Sequence, residues 1–189
     1  MTETEEKIIK AAIAVFVRFG AKKTTMADIA ETAEVSRQTV YALFGDKDGM
    51  IVASIRYVTD RSLSAARSKL AGAPSLSEQL DIYFAETVTK SFELLQTSGD
   101  ADDLISGHNK AGKAEIERSH QRHKELVSEL LAPHDAAFMK AGQSYLELSN
   151  YVVTVAMALK YGAADRAEFD ALLLSLKNSV LCLAGSNEP

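Results

Sequence analysis

Cysteine, proline and tryptophan are scarce in this sequence: its 189 residues include one cysteine, three prolines and no tryptophan. The single Cys182 has no partner for a disulfide within the chain, which fits a reducing cytoplasm. The acidic residues 1–6 hold no apolar run, and no stretch approaches about 20 uninterrupted apolar residues. We therefore expect no secretory signal, no membrane span and a cytoplasmic location.

Positive charge is also in short supply, with 21 Lys and Arg against 26 Asp and Glu and a net charge of −5. The first 50 residues alone carry 7 basic and 8 acidic side chains. This balance argues against a non-specific nucleic-acid coat, because counterion release needs positive groups at the phosphates. A DNA-binding role would need a local cationic surface.

Period-two stretches of β-branched residues are missing, whereas apolar residues recur at spacings of three and four along most of the chain. This periodicity predicts an all-α fold. In the first helix, a stripe that includes Phe16 and Phe19 is expected to face a core. The predicted helices cover about residues 4–19, 26–33, 37–44, 46–71, 76 to the loop at 98–100, 102–106, 114–131, 135–142, 145–161 and 166–184.

The last two predicted helices are the most apolar. In the helix predicted at about residues 145–161, apolar residues occur around most of the circumference, so this helix must be covered on two sides. One side can face the helix's own domain, and subunit association would cover the other. The alternative is that the helix lies at the centre of its own domain. The residues expected at a dimer interface are Leu148, Val152, Val155, Leu159, Phe169, Leu172, Leu173, Leu176, Val180 and Leu183.

Residues 25–44 have the pattern of a helix-turn-helix motif. Thr25 with Asp28 predicts a capping box at the start of one short helix, and Ser36 caps the next, which Gly45 ends. The amides at the start of the second helix form a site for a phosphate. A Ser or Thr cap alone is common in any helical protein, so the prediction rests on the complete pattern.

The second helix of the motif carries side chains that can read DNA. Arg37 can pair with O6 and N7 of guanine, and Gln38 with N6 and N7 of adenine. Thr39 can touch a thymine methyl or a phosphate, and the Tyr41 hydroxyl can reach the DNA backbone. Val40 is expected to point inward and hold the helix in place.

Three stretches carry a resemblance to a known family: residues 24–30 (TTMADIA), 33–41 (AEVSRQTVY) and 44–48 (FGDKD). They resemble the N-terminal domain of tetracycline-repressor (TetR) family regulators over about residues 5–55. The rest of the chain matches that family only in length and helical layout.

The resemblance implies a three-helix helix-turn-helix DNA-binding domain at residues 1–47 and a larger helical effector-binding and dimerisation domain at residues 48–189. It implies a repressor that binds a pseudo-palindromic double-stranded DNA operator as a homodimer and is released by a small-molecule effector. An effector-independent or activating regulator is one alternative. A helical small-molecule or metal-binding protein on the same scaffold is another.

The resemblance also implies which residues meet DNA. Glu34 stands where the family usually has glycine, which predicts a strained left-handed backbone costing about 1 kcal/mol and a negative charge near the phosphates. Gln38 stands where the family often has glycine, which adds a base contact. Lys22 and Lys23 either bind phosphate or are solvated loop charges. The residues expected at the DNA are Lys23, Thr25, Ser36, Arg37, Gln38, Thr39, Tyr41 and Lys47.

By the same resemblance, the helices after the fourth enclose an effector pocket. The alternative for each aromatic candidate is ordinary core packing, which is more common at helical spacing. The expected lining residues are Tyr57, Tyr83, Phe84, Phe92, His108, His120, His123, Phe138 and Tyr145.

Metal and enzyme chemistry find little support in the sequence. His120 and His123 lie three residues apart and share a helix face, but nothing in the sequence supplies the third or fourth ligand of a metal site. We therefore predict no metal and no cofactor.

No glycine-rich phosphate loop, nucleophile elbow or His-Glu-x-x-His arrangement occurs, which argues against an enzyme. Cys182, on the apolar last helix, is expected to be a packing residue.

Overall fold

A computed structural model describes residues 1–96 and 110–185, and these ranges contain helices and turns but no strand. The predicted all-α fold is confirmed, while the short helix predicted at 102–106 lies outside the described residues. No helix in the described ranges is long and apolar enough to cross a membrane. The α-helices are α1 Glu3–Phe19, α2 Met26–Thr32, α3 Arg37–Phe44, α4 Lys47–Leu70, α5 Leu76–Tyr83, α6 Lys90–Gln96, α7 Lys110–Leu131, α8 Asp135–Lys140, α9 Tyr145–Gly162 and α10 Arg166–Leu183.

The chain forms two compact units. The first comprises the described parts of residues 1–61 and 93–119, and the second those of residues 62–92 and 120–189. Helix α4 contributes to both units, because its 24 residues run past residue 61 without a break. The domain boundary predicted at residue 47 stays a prediction, and α4 begins at that residue.

The first unit has a core made by one face of each of its first helices. Phe19, predicted to belong to this core, is exposed instead, with the Arg18 guanidinium 4.9 Å from its ring centre. Phe19 is the last residue of α1, and the chain turns away at Gly20 before a core can cover it. The buried cluster consists of Ile8, Ala11, Ala12, Phe16, Ala21, Met26, Ile29, Ala30, Ala33, Val40 and Met50.

The second unit buries the apolar stripe that the sequence predicts after Ser75. The helix carrying this stripe is interrupted, because Phe84–Thr89 is a π-helical segment between α5 and α6. A single π turn rotates the side chains that follow it around the helix axis. The four residues of the stripe, all buried, are Leu80, Phe84, Val88 and Phe92.

Glu86 is a buried carboxylate within the π-helical segment. Lys69 of α4 donates to one of its oxygens at 2.5 Å, and Lys90 of α6 donates to the other. These hydrogen bonds hold the pKa of Glu86 below its ordinary value. Because both cations reach the buried charge, the end of α4 is tied to the start of α6.

Two further details differ from the sequence-based expectations. Helix α7 begins at Lys110, four residues before the predicted start at 114, because Gly112 is accommodated within the helix. Cys182 is exposed rather than packed. It lies two residues after the buried Val180 and therefore about 200° around α10 from the core.

Candidate nucleic-acid interface

Helix α2 begins with the predicted capping box. The Asp28 amide donates to the Thr25 hydroxyl oxygen at 3.3 Å, and the Thr25 amide donates to the Asp28 carboxylate at 2.8 Å. These contacts with Thr25, the backbone one foremost, hold the pKa of Asp28 below its ordinary value. The Thr25 hydroxyl also donates its proton to Asp28 at 2.8 Å. The Thr25 hydroxyl proton is therefore already bonded to Asp28, and donating it to a phosphate would require that bond to be exchanged.

Helix α2 ends in a Schellman motif. The Val35 amide donates to the Ala30 carbonyl, and the Glu34 amide to the Glu31 carbonyl, each at 3.0 Å. Glu34 has a φ of +52°, so the predicted left-handed backbone is confirmed. Lys7 of α1, which the sequence analysis missed, places its ammonium 3.2 Å from the Glu34 carboxylate. The two residues are 27 positions apart in the sequence, and no sequence pattern predicts an ion pair over that separation.

Helix α3 has the predicted start and end. The Thr39 amide donates to the Ser36 hydroxyl oxygen at 3.0 Å, which confirms the cap. The hydroxyl groups of Ser36 and Thr39 also share one hydrogen bond at 2.8 Å, so one of their two protons remains for a ligand. At the other end, the Gly45 amide donates to the Tyr41 carbonyl at 2.9 Å, and Gly45 has a φ of +75°.

One side of α3 is buried and the other is polar and open. Val40 is fully buried and anchors the helix in the core of the first unit, as predicted. Arg37 and Gln38 are exposed, and Tyr41 is 51% exposed. Residues four apart lie one turn apart on a helix, so the fold brings these three predicted DNA contacts together on its solvent side.

Lys47 links the start of α4 to the loop before α2. Its ammonium donates to the carbonyl oxygen of Lys22 at 3.1 Å. An ammonium has three donors, so this bond leaves further protons for a phosphate. The bond also brings the Lys47 ammonium to the loop that carries Lys23.

Comparison with known proteins identifies the family that the N-terminal segment matches. Residues 8–53 match the model of the family described as bacterial regulatory proteins, TetR family. This N-terminal segment is therefore a DNA-binding domain of the TetR type. A stretch of 79 residues is 37% identical to the probable HTH-type transcriptional regulator ArpR of Pseudomonas putida, covering 42% of this chain and 35% of that protein. The sequence match thus spans about a third of that relative's length.

Solved structures extend the likeness to the fold of nearly the whole chain. A TetR-like transcriptional regulator from Rhodococcus sp. RHA1 is 25% identical with a TM-score of 0.65, and the match covers 96% of each chain. A TetR transcriptional regulator from Legionella pneumophila is 16% identical with a TM-score of 0.72, covering 95% of this chain and 98% of that one. The all-α fold is therefore that of TetR-family transcriptional regulators.

The residues predicted for an effector pocket fall in different places. Tyr57 belongs to the first unit, where its hydroxyl donates to Glu6 of α1 at 2.8 Å. His108 lies outside the described residues. The second unit holds the other seven, which are Tyr83, Phe84, Phe92, His120, His123, Phe138 and Tyr145.

Tyr83 and His123 form a buried polar pair in the second unit. The Tyr83 hydroxyl lies 3.3 Å from Nδ1 of His123. Burial lowers the pKa of His123 to about 3 and raises the pKa of Tyr83, so both side chains are neutral near pH 7. Nearby in the same core, the rings of Phe92 and Phe169 stack with centres 4.1 Å apart. The pair is thus a buried polar point next to the largely apolar core of the second unit.

A cavity of about 310 Å³ lies in the second unit and was missed by the sequence analysis. Of the predicted pocket residues it includes Phe84, and two of its walls, Lys177 and Asp81, form an ion pair at 2.6 Å. Periodicity along one helix does not reveal which other helix it meets, so no sequence signal could place α5 beside α10. The lining residues are Asp81, Phe84, Ala85, Thr89, Asp170, Leu173, Leu174 and Lys177.

Among the described residues, no set of metal ligands forms around His120 and His123. Within residues 1–96 and 110–185, no group of three or more His, Cys, Asp and Glu side chains is placed to hold a metal ion. His123 is buried against Tyr83, while His120 is only partly buried.

The residues predicted at a dimer interface divide by exposure. Leu172 is 41% exposed, and Val155, Leu159 and Leu183 are partly buried. The apolar stripe of α10 is therefore largely the chain's own core, which narrows the predicted interface to these four residues. The other six present almost no surface to a partner: Leu148, Val152, Phe169, Leu173, Leu176 and Val180.

Proposed function

We propose that this TetR-family chain represses transcription as a homodimer bound to a pseudo-palindromic operator, and that a small-molecule effector releases it. The observation that carries the DNA-binding part is α3, a capped helix anchored by Val40 with Arg37, Gln38 and Tyr41 on its open side. An acidic chain has few cations to offer, and two-fold symmetry doubles them at the DNA.

The first experiment measures binding to duplex DNA from the chain's own promoter and to a scrambled duplex of the same length and composition. We expect a clear preference for the promoter. Neutralising six to ten phosphates would lower the affinity roughly 10³- to 10⁵-fold between about 50 and about 200 mM salt. Equal affinity for the two duplexes would overturn the proposal.

Variants of α3 identify the surface that binds. Arg37→Ala and Gln38→Ala each remove a base contact and should lower the preference for the promoter. Arg166→Ala is the matched control, since it removes one positive charge from α10 in the second unit. Loss of binding in the control as large as in Arg37→Ala would indicate a general charge effect.

Release by an effector requires that the ligand bind the DNA-incompetent conformation more tightly than the DNA-competent one. The buried Tyr83–His123 pair and the cavity lined by Phe84 support a ligand site in the second unit. A thermal-shift screen of metabolites, followed by DNA titration with each hit, tests this part. Stabilising ligands that leave DNA affinity unchanged, or no ligand at all, would favour an effector-independent regulator.

Dimerisation is supported by apolar surface on the last two helices. Tyr151 of α9 and Leu172 of α10 are large side chains left open to solvent, at 50% and 41% exposure. Single exposed apolar residues are common, but these two lie on the two most apolar helices of the chain. We infer that a second copy covers these exposed apolar residues of α9 and α10.

A further inference from the structure

The outward face of α3 is centred on Gln38 and Ala42. Val40 is fully buried and Phe44 packs against the same core. Ala42 is two residues from each of them, so at about 100° per residue it lies about 200° from both. Gln38 is two residues before Val40 and one turn before Ala42. Both Gln38 and Ala42 are exposed, on the side of α3 that points away from the protein.

Gln38 and Ala42 form a central strip along the outward face of α3, and the neighbouring side chains lie on either side of it. Arg37 and Tyr41 lie one turn apart on one flank, and Thr39 and Leu43 on the other. The strip therefore presents the side-chain amide of Gln38 and the methyl group of Ala42 to DNA. Since Ala42 adds only a methyl group to the backbone, the second turn of α3 can approach the floor of the major groove closely.

Building on the proposed DNA binding, we propose that Ala42 is a base-reading residue whose methyl group packs against the C5-methyl of a thymine. Thymine shows this methyl only in the major groove, where alanine is a suitable apolar partner. Four helical residues span about 6 Å, against about 3.4 Å per base-pair step. Gln38, on the same strip, then reads an adenine one or two steps from that thymine.

The test begins with selection of preferred sites for the full-length protein from random duplex DNA. Each thymine of the selected site is then replaced by deoxyuridine, which removes the methyl group and keeps the base pair. At one thymine of each half-site, we expect the replacement to weaken wild-type binding about fourfold, the effect of one buried methyl. Ala42→Gly should bind the two duplexes equally at that position.

Two further variants keep the test decisive. Because glycine weakens a helix, Ala42→Ser is measured in parallel, and it should also lose the preference for thymine over deoxyuridine. Leu43→Ala, on the flank, should keep it. The inference is overturned if no thymine responds to deoxyuridine, or if both Ala42 variants respond as the wild type does. Absence of any selected site would instead overturn the proposed DNA binding itself.

Discussion

The ammonium of Lys7 lies 3.2 Å from the carboxylate of Glu34, the one non-glycine residue in the described ranges with a positive φ. Glu34 occupies the position of a Schellman motif that usually holds glycine, between the two helices of the DNA-binding motif. Its side chain bears a negative charge close to where DNA phosphates are expected. The pairing with Lys7 offsets that charge without removing the backbone strain.

Comparing Glu34→Gly with Glu34→Ala isolates the backbone strain. Both variants lose the exposed ion pair, which is worth at most about 1 kcal/mol. Only glycine relieves the left-handed strain, so Glu34→Gly should be more stable than Glu34→Ala by about 1 kcal/mol in urea denaturation. Equal stability of the two variants would show that φ +52° at this position costs nothing measurable.

The sequence could predict the helix-turn-helix in detail because its determinants are local. Caps such as Thr25 with Asp28, and Ser36 with Thr39, involve residues three apart, and they set the ends of α2 and α3. The left-handed Glu34 was also predictable, from its place in the aligned pattern of the family. These features need no knowledge of the rest of the fold.

Features that depend on contacts between distant segments were not predictable. An apolar stripe shows that a helix face is covered but not by what, so Leu176 was assigned to a partner although the chain's own core buries it. Tyr57 was assigned to a pocket, but it bonds Glu6 of α1. The π-helical segment Phe84–Thr89 produces no signal in the three- and four-residue spacing of the apolar residues.

Glu115 of α7 provides a prediction about stability. It is 4% exposed, and Arg56 of α4 donates to its two oxygens at 3.2 and 3.0 Å, with Arg118 also bonded. Hydrogen bonding from Arg56 holds the pKa of Glu115 below its ordinary value. Glu115→Gln should destabilise the fold by about 1–2 kcal/mol, less than for a fully buried pair, because both arginines are half-exposed and can be solvated.

A double-mutant cycle measures this effect against a matched pair. Arg56→Met with Glu115→Gln gives the coupling energy of the partly buried pair. Arg67 and Glu129 form a similar two-point contact, at 2.6 and 2.9 Å, with both side chains half-exposed. We expect the Arg67–Glu129 coupling to be about 0.5 kcal/mol or less. A coupling for Arg56–Glu115 no larger than this would contradict a stabilising role for burial.

His123 predicts how stability depends on pH. Burial lowers its pKa to about 3 in the folded chain, whereas an unfolded histidine titrates near about 6.5. Its contribution to stability is therefore fully present above about pH 6.5 and is lost as the pH falls towards 3, at up to about 1.4 kcal/mol per pH unit. In His123→Gln, which can still accept a hydrogen bond from Tyr83, urea-measured stability should fall less steeply between about pH 7 and about pH 5. Parallel profiles would exclude His123 as the cause.

The last prediction uses two leucines of α10 to locate the proposed dimer interface. Leu172 is 41% exposed and Leu174 is 56% exposed, so neither is needed to fill the core of its own chain. They are two residues apart and therefore point about 200° away from each other. Leu174 lines the cavity beside α5, whereas Leu172 lies on the opposite side of α10.

We expect Leu172→Asp to dissociate the dimer and to weaken binding to a two-half-site operator, while Leu174→Asp leaves both unchanged. A charge buried in an apolar interface without a partner is strongly unfavourable, whereas the same charge facing solvent is not. Sedimentation velocity gives the oligomeric state, and circular dichroism checks that each variant is folded. If Leu174→Asp dissociates the dimer and Leu172→Asp does not, the second copy packs against the side of α10 that carries Leu174 and the cavity. In that case the cavity lined by Phe84 and Lys177 belongs to the subunit interface and not to an effector.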